Sequence, residues 1–330
     1  MRSFEYERAA DVDGAVARVA GRPDAVFLAG GTNLLDHMKL GLASPGLLVD
    51  VTGLPLDTVA ARPDGSVRIG AMVRNSDLAA DPVIRQRYPM LSQALLAGAS
   101  GQLRNMATVG GNLLQRTRCP YFQDLSTPCN KREPGSGCSA IEGHHREHAV
   151  LGASTSCVAV NPSDMAVALC ALEAVVQVHG PGGARSIPVE ELYRLPGDQP
   201  QRDTVLEHGE LITAVDLPAL PGAARSRYRK VRDRASYAFA LVSVAVAARI
   251  ERGSVRDARI AFGGLAPKPW RARGAEEVLR GAPATGELAV RAAETELAAA
   301  QPLRGNAFKV KLAQGALAAA MRELAGEARS

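Results

Sequence analysis

Hydrophobic positions change their period several times along this chain, and each change marks an element. Residues 10–20 repeat apolar side chains at helical spacing and predict a short amphipathic helix. The apolar run AVFLAGG at 25–31 predicts a buried strand that enters a glycine turn, and LLVDVTG (47–53) and SVRIGAMV (66–73) repeat the strand pattern. Residues 83–99, closing on PMLSQALLAGAS, predict a helix. Farther on, TSCVAVN (155–161) reads as a strand, MAVALCALEA as a helix, and AVVQVHG as a strand closed by the turn PGG. The Pro, Gly and Ala-rich segment PALPGAARS (218–226) breaks the pattern and marks a domain boundary. Beyond it, two strand-like runs in SYAFALVSVAVAARIERGSVRDARIAFGG precede helical patterns in EEVLRG, ELAVRAAETELAAA and AFKVKLAQGALAAAMRELAGE, so the final third reads as a separate α+β unit.

Composition narrows the class. A chain of 330 residues, 46% hydrophobic and 22% charged, is an ordinary globular protein of about two domains. The net charge is +5, but the basic residues are scattered and aromatics make up 4%, which argues against nucleic-acid binding. The charged N-terminus has no apolar signal region, and no stretch approaches the ~18 continuous apolar residues of a membrane span. The expectation is a chain with no export signal or anchor of its own.

Five cysteines are too few and too clustered for a secreted disulfide scaffold. Cys170 lies in an apolar helical run and reads as a small buried residue. Cys119, Cys129, Cys138 and Cys157 instead fall on a stretch rich in Pro, Gly, His and charge, which predicts a long irregular loop with few apolar anchors. Thiolates on such a loop suggest a metal or iron–sulfur centre. Their spacing lacks the CxxC pairs of zinc fingers and the tight run of bacterial ferredoxins. Zinc stays open, since His144, His145 and His148 could replace a thiolate, although GHHREH reads as a surface patch. Arg116, Arg118, Lys131 and Arg132 could offset the negative charge of a four-thiolate cluster, or simply be solvated.

Two small-residue turns carry candidate phosphate chemistry. Gly30 and Gly31, followed by Thr32 and Asn33, offer unhindered backbone N–H groups, a hydroxyl and an amide; such a turn is also ordinary punctuation after a strand. It is not the GxGxxG fingerprint. Thr108, Gly110, Gly111 and Asn112 form the second turn, and two turns could grip the ends of a dinucleotide. Ser163 and Asp164 precede an apolar helix, where they read as an N-cap or as hydrogen-bond partners for a ribose or adenine edge.

In order along nearly the whole chain, FLAGGTNLLDHMKLG, QLRNMATVGGNLLQ, NPSDMAVAL and IAFGGLAPKPWRA resemble the medium, FAD-binding subunit of the molybdenum hydroxylases, the family of xanthine dehydrogenase, carbon monoxide dehydrogenase and aldehyde oxidoreductases. The cysteine insert is similar to that of periplasmic aldehyde oxidoreductases, whose FAD subunit carries an additional [4Fe–4S] cluster; 4-hydroxybenzoyl-CoA reductase is another such relative. The resemblance implies an α+β chain: a two-lobed vanillyl-alcohol-oxidase-like (PCMH-type) FAD domain over 1–220, with the cluster loop at about 115–157, then a small α+β flavoprotein domain over 226–330. It implies that Phe27, Leu28, Ala29, Gly30, Gly31, Thr32, Asn33 and Leu34 wrap the FAD pyrophosphate, that Thr108, Gly111, Asn112 and Leu114 form a second FAD loop, and that Ser163 and Asp164 lie near the adenosine. Lys230 is a candidate flavin neighbour in a stretch, YRKVRDRASYAFALVSVAV, that departs from the family pattern. Cys119, Cys129, Cys138 and Cys157 would ligate the cluster.

The function implied is an electron-transfer flavoprotein subunit of a heterotrimeric aldehyde oxidoreductase. Its partners would be a large molybdopterin subunit, which holds the catalytic residues, a small [2Fe–2S] subunit and an external electron acceptor. The alternatives are a subunit of a xanthine dehydrogenase or hydroxybenzoyl-CoA reductase type enzyme, or a structural zinc protein. The compartment implied is periplasmic by export with a signal-bearing partner, with the cytoplasm as alternative.

Overall fold

The computed structural model describes residues 1–220 and 224–326. Strands β1 (Glu5–Arg8), β2 (Ala25–Leu28) and β3 (Leu47–Asp50) form a parallel sheet in the order β1-β3-β2. The helix Val12–Ala20 connects the first two; Asp11 caps it by accepting from the Gly14 N–H, and Ala15, Val16 and Val19 bury its apolar stripe. Strands β4 (Val59–Ala61), β5 (Val67–Gly70), β6 (Val175–Gly180), β7 (Gly183–Pro188) and β8 (Leu211–Leu217) make an antiparallel sheet, β4-β5-β8-β6-β7. These two sheets share one core.

Strands β9 (Arg225–Val231), β10 (Val242–Glu251), β11 (Ser254–Gly263) and β12 (Trp270–Arg271) form the third sheet, β12-β11-β10-β9. Alternate residues of β10 enter different cores. Val242, Val244, Val246 and Ala248 pack with the helices Arg273–Leu279, Gly286–Leu297 and Phe308–Ala325, while Ala245 and Ala247 join the core of the first two sheets. Burial on both faces explains why this strand reads as a continuous apolar run. No described helix is long and apolar enough to cross a membrane.

Several expected elements change on folding. The strand expected at the head of AVFLAGG forms over Ala25–Leu28 and runs into the glycine turn, but only Ala25 is fully buried. The helix expected over 83–99 is two, Pro82–Arg87 and Pro89–Ala97, because Pro89 lacks an N–H and disfavours helical geometry at Tyr88, whose φ is −131°. TSCVAVN is not a strand; Cys157 makes an isolated bridge to Ser154, while the Val158 carbonyl accepts from Ala149 and the Asn161 N–H donates to Ala266. Of the boundary segment 218–226, residues 221–223 lie outside the described residues, as do 327–330 at the chain's end.

The cysteine stretch is irregular, with one short helix at Pro120–Gln123, but it is packed rather than loosely anchored. Phe122, Ala140, Ala149, Val150 and Leu151 are buried, and the Arg132 guanidinium donates to the carbonyls of Tyr121, Phe122 and Thr127. His145 and His148 are buried as well, which corrects the reading of these two as surface residues, while His144 is exposed.

A buried ion pair of the C-terminal domain sits at the junction with the first domain. Arg271 on β12 pairs with Glu276, which also accepts from the Ile260 N–H at 2.7 Å, and reaches across to the Cys170 carbonyl and to Glu173 at 3.0 Å. Removing one partner of a buried pair leaves the other charge without compensation. Glu276→Ala should therefore lower the unfolding free energy by about 3 to 5 kcal/mol in urea. Glu7→Ala, which breaks the exposed pair with Arg18, should leave the urea midpoint unchanged.

Candidate functional site

The three small-residue motifs meet along one wall of a cleft. After β2 the chain turns at Gly30 and Gly31, the latter at φ +71°, and enters the helix Leu34–Leu40. A Cβ on Gly30 would stand 1.9 Å from the Met106 carbonyl oxygen, so the first turn closes on the approach to the second only with glycine there. Thr108 caps the helix Val109–Leu113 by accepting from the Gly111 N–H at 3.2 Å. Ser163 caps the helix Asp164–Ala171 by accepting from Ala166 at 3.0 Å, and its hydroxyl donates to Asn112 Oδ1 at 2.7 Å. Asn112 Oδ1 also accepts from Gln115 Nε2 at 2.7 Å, and Asn33 Oδ1 accepts from the Arg116 N–H at 3.1 Å. One polar network thus ties all three motifs to the start of the cysteine stretch.

The cleft has a volume of about 800 Å³ and lies between the domains. Gly30, Gly31, Thr32, Asn33, Gly111, Asn112, Ser163 and Asp164 line one side; Tyr237 to Leu241, Ser243, Gly263 and Gly264 line the other. Its size suits a large organic cofactor. Asn75 Oδ1, Arg118 Nε and His148 Nδ1 belong to lining residues, are buried and have no well-formed hydrogen bond among the described residues. Two lining residues other than glycine, Ala99 (φ +50°) and Tyr237 (φ +51°), hold left-handed backbone of the kind that concentrates at ligand sites. The glycines, the unpaired polar atoms and the volume together fit a phosphate-bearing, hydrogen-bonding group.

Not every expected contact lines the cleft. Phe27 and Ala29 pack against the first core, with Leu28 and Leu34 half-buried beside them. Thr108 is buried in its capping role, and Leu114 lines a separate small cavity with Asn161 and Tyr193. Lys230 is not among the residues that line the cleft. Its ammonium, on a side chain 4% exposed, donates to Asp164 Oδ2 at 2.8 Å and to the Ala97 carbonyl at 3.1 Å. The Tyr228 hydroxyl donates to Asp164 Oδ1 at 2.5 Å, and burial together with the Asp164 charge pushes this phenol well above its usual range. Strand β9 thus sends Tyr228 and Lys230 across the domain junction to fix a carboxylate at the cleft. Asn75, Ala99, Arg104 and the segment 237–241 line the cleft without having been singled out from sequence, while Arg118 and His148, read from sequence as neighbours of the cysteine centre, line it too. The quoted IAFGG carried a signal: Gly264 at φ +73° holds a turn beside the Leu241 carbonyl that a side chain would strike.

Cys119, Cys129, Cys138 and Cys157 line one small cavity, and all the cysteines are free of disulfides. A local clasp brings Cys138 back to Cys129: Asn130 donates its N–H to the Gly137 carbonyl at 2.6 Å, and its side-chain oxygen accepts from Gly135 and Gly137. Burial pushes the Cys119 thiol up to about 12 and raises Cys157, the latter against the pull of Lys131. Cys119 Sγ lies 3.2 Å from His148 Nε2, and burial pushes this imidazole down to about 4. Among the described residues, no three or more His, Cys, Asp or Glu side chains form a grouping fit for a single metal ion.

The neighbouring cations are structured rather than freely solvated. Lys131 is buried and donates to the Pro200 carbonyl at 2.6 Å and to Asp203 Oδ1 at 2.5 Å; Arg116 Nε donates to Asp203 Oδ2 at 2.7 Å. Burial opposes the Asp203 charge, but Arg116 and Lys131 outweigh it and hold the carboxyl below its usual range. Arg118 pairs with Asp36 at 3.1 Å and lies 5.3 Å from the centre of the Phe239 ring across the cleft. Burial, aided by Arg116 and Arg118, pushes His37 down to about 4 and keeps it neutral behind Asn33.

Comparison with known proteins covers both domains. The profile of the FAD binding domain in molybdopterin dehydrogenase matches residues 2–220, and that of the CO dehydrogenase flavoprotein C-terminal domain matches residues 226–324. The aldehyde oxidoreductase FAD-binding subunit PaoB of Escherichia coli is 52% identical over 329 residues, covering 99% of this chain and 100% of that protein. The carbon monoxide dehydrogenase medium chain of Hydrogenophaga pseudoflava is 29% identical, covering 94% and 93% respectively. Among solved structures, a chain of the reconstituted CO dehydrogenase from Oligotropha carboxidovorans is similar with a TM-score of 0.79 at 26% identity, covering 99% of both chains. Matches that run through both folded units and the cleft between them show that this chain belongs to the family of FAD-binding subunits of molybdopterin dehydrogenases.

Proposed function

We propose that this chain is the electron-transfer flavoprotein subunit of a heterotrimeric, molybdenum-containing aldehyde oxidoreductase. It binds FAD in the interdomain cleft and a [4Fe–4S] cluster on Cys119, Cys129, Cys138 and Cys157. A large molybdopterin subunit oxidises aldehydes to carboxylic acids, a small subunit carries [2Fe–2S] clusters, and electrons leave through this chain to an external acceptor. The carrying observation is the 52% identity to an aldehyde oxidoreductase FAD-binding subunit over 99% of this chain. Relatives named for xanthine or carbon monoxide stand at 28% and 29%, which favours the aldehyde reading. Export with a signal-bearing partner would place the complex in the periplasm, and a twin-arginine signal encoded beside this chain would test that location.

This chain's own residues have definite tasks in that reading. Gly30 and Gly31 keep backbone N–H groups open to a diphosphate, Gly111 leaves the cleft wall free of a side chain, and Asn112 with Ser163 presents fixed polar edges. Tyr228 and Lys230 hold the Asp164 side chain oriented at the cleft from behind. Bound flavin supplies electron transfer in single or paired steps. The cluster reading is supported by four free thiols converging on one cavity, with the buried Lys131 beside them to offset negative charge.

The flavin is expected to be non-covalent, so acid precipitation of the complex should release it into the supernatant; flavin left in the pellet would count against this. A Cβ on Gly111 meets Thr108 Oγ1 at 3.1 Å and nothing else outside its own helix, so Gly111→Val should fold and project its side chain toward the cleft. Flavin binding should weaken by roughly tenfold, about 1.4 kcal/mol, with iron content retained. Unchanged flavin affinity would remove Gly111 from the site.

Replacing Cys119, Cys129, Cys138 or Cys157 singly with Ser should lower iron per complex, while Cys170→Ser, buried in its helix, should keep the parental level. Elemental analysis checks both. Zinc in place of iron in the parent, or parental iron in all four variants, would overturn the cluster assignment.

A further inference from the structure

Among the described residues, Cys119 is the one cysteine of the four that lines both the interdomain cleft and the cysteine cavity. Its sulfur touches a single ring nitrogen, His148 Nε2, at 3.2 Å. His148 is 2% exposed and lines the cleft, its Nδ1 makes no well-formed hydrogen bond among the described residues, and the His144 backbone lies beside the ring. The ring is also fixed in place. It stacks on Tyr121 with centroids 6.2 Å apart, and its backbone carbonyl accepts from Lys309 Nζ at 2.8 Å and from Asn306 Nδ2 at 3.2 Å. Lys309 and Asn306 are fully buried at the start of the last helix, and Lys309 also donates to the Gly264 carbonyl at 2.6 Å on the far wall of the cleft. Two buried polar side chains of the C-terminal domain therefore hold one histidine against one cysteine.

We propose that His148 is a positioning residue that donates its Nε2–H to the Cys119 sulfur and thereby sets the reduction potential of the cluster beside the cleft. This rests on the cluster reading given above. An iron-bound thiolate can only accept, so the Nε2 that faces it must carry the hydrogen. Hydrogen bonds to cluster sulfurs stabilise the more negative, reduced state and raise the potential. His148 faces Cys119 alone of the four sulfurs, so the donor acts on the corner of the cluster next to the cleft. The consequence is a cluster easier to reduce than four thiolates in the same cavity would make it without that donor.

The test uses the purified complex with all its subunits. His148→Phe keeps an aromatic ring against Tyr121 and removes the donor; His148→Gln restores an N–H of similar reach. Iron, flavin and the cluster's midpoint potential are measured together, the last by redox titration followed by electron paramagnetic resonance. His148→Phe should keep iron and flavin but lower the midpoint, with a roughly tenfold shift in the oxidised-to-reduced ratio at the parental midpoint, about 59 mV for one electron. His148→Gln should return most of that shift. Iron present with an unmoved potential in His148→Phe overturns this inference alone. Loss of iron in both variants to the level of Cys119→Ser overturns it in favour of a ligand role. A parent complex without iron overturns the cluster reading and this inference with it.

Discussion

Everything at the cleft depends on one short helix, Asp164–Ala171, that is buried along its whole length. It packs on the helix Pro89–Ala97 on one side and on β10 and β11 on the other, so it belongs to both domains at once. A helix apolar all round has no stable exposed face and must be enclosed. Its two ends carry the polar consequences. At the first turn, Asp164 is buried against Lys230 and Tyr228; just past the last turn, Arg271 reaches the Cys170 carbonyl and Glu173. Buried charges of this kind contribute little net stability over apolar packing but are costly to break, so they act as register pins between domains.

That arrangement explains how structural and cofactor roles coincide in one residue. Ser163 satisfies the helix's unpaired N–H groups, as an N-cap should, and in the same position donates to Asn112 in the second glycine turn. The two readings of this residue offered by the sequence are therefore compatible. Lys230 shows the opposite case: a lysine read as a flavin neighbour serves the carboxylate behind the cleft wall.

Much of the fold was legible where the pattern is local. The strands β2, β3, β5, β6, β10 and β11 announce themselves by apolar runs, and the C-terminal helices by their periodicity. Strand β9, RSRYRKV, was not legible, because it is mostly charged and the partners of those charges, Glu323 for Arg227 and Arg229 and Asp164 for Lys230, lie far away in sequence. The cysteine stretch looked loose for a similar reason. Its order comes from Lys131 and Arg116 meeting Asp203, about 70 to 90 residues on, and from Asn306 and Lys309 near the chain's end. The glycine turns were visible as candidates, but the segment 237–241 on the opposite wall carries no motif at all.

Strand β10 gives a mechanical consequence. Its odd-numbered alanines are part of one core and its even-numbered valines part of the other, so the two domains have a common structural member rather than a linker. Two bodies that share a beam have no hinge line between them. The cleft cannot widen by rotating one domain away from the other without pulling Ala245 and Ala247 out of the first core and exposing the side chains they cover. The distance between its two walls is consequently a property of the fold itself, held as firmly in the resting chain as the spacing of strands within a sheet.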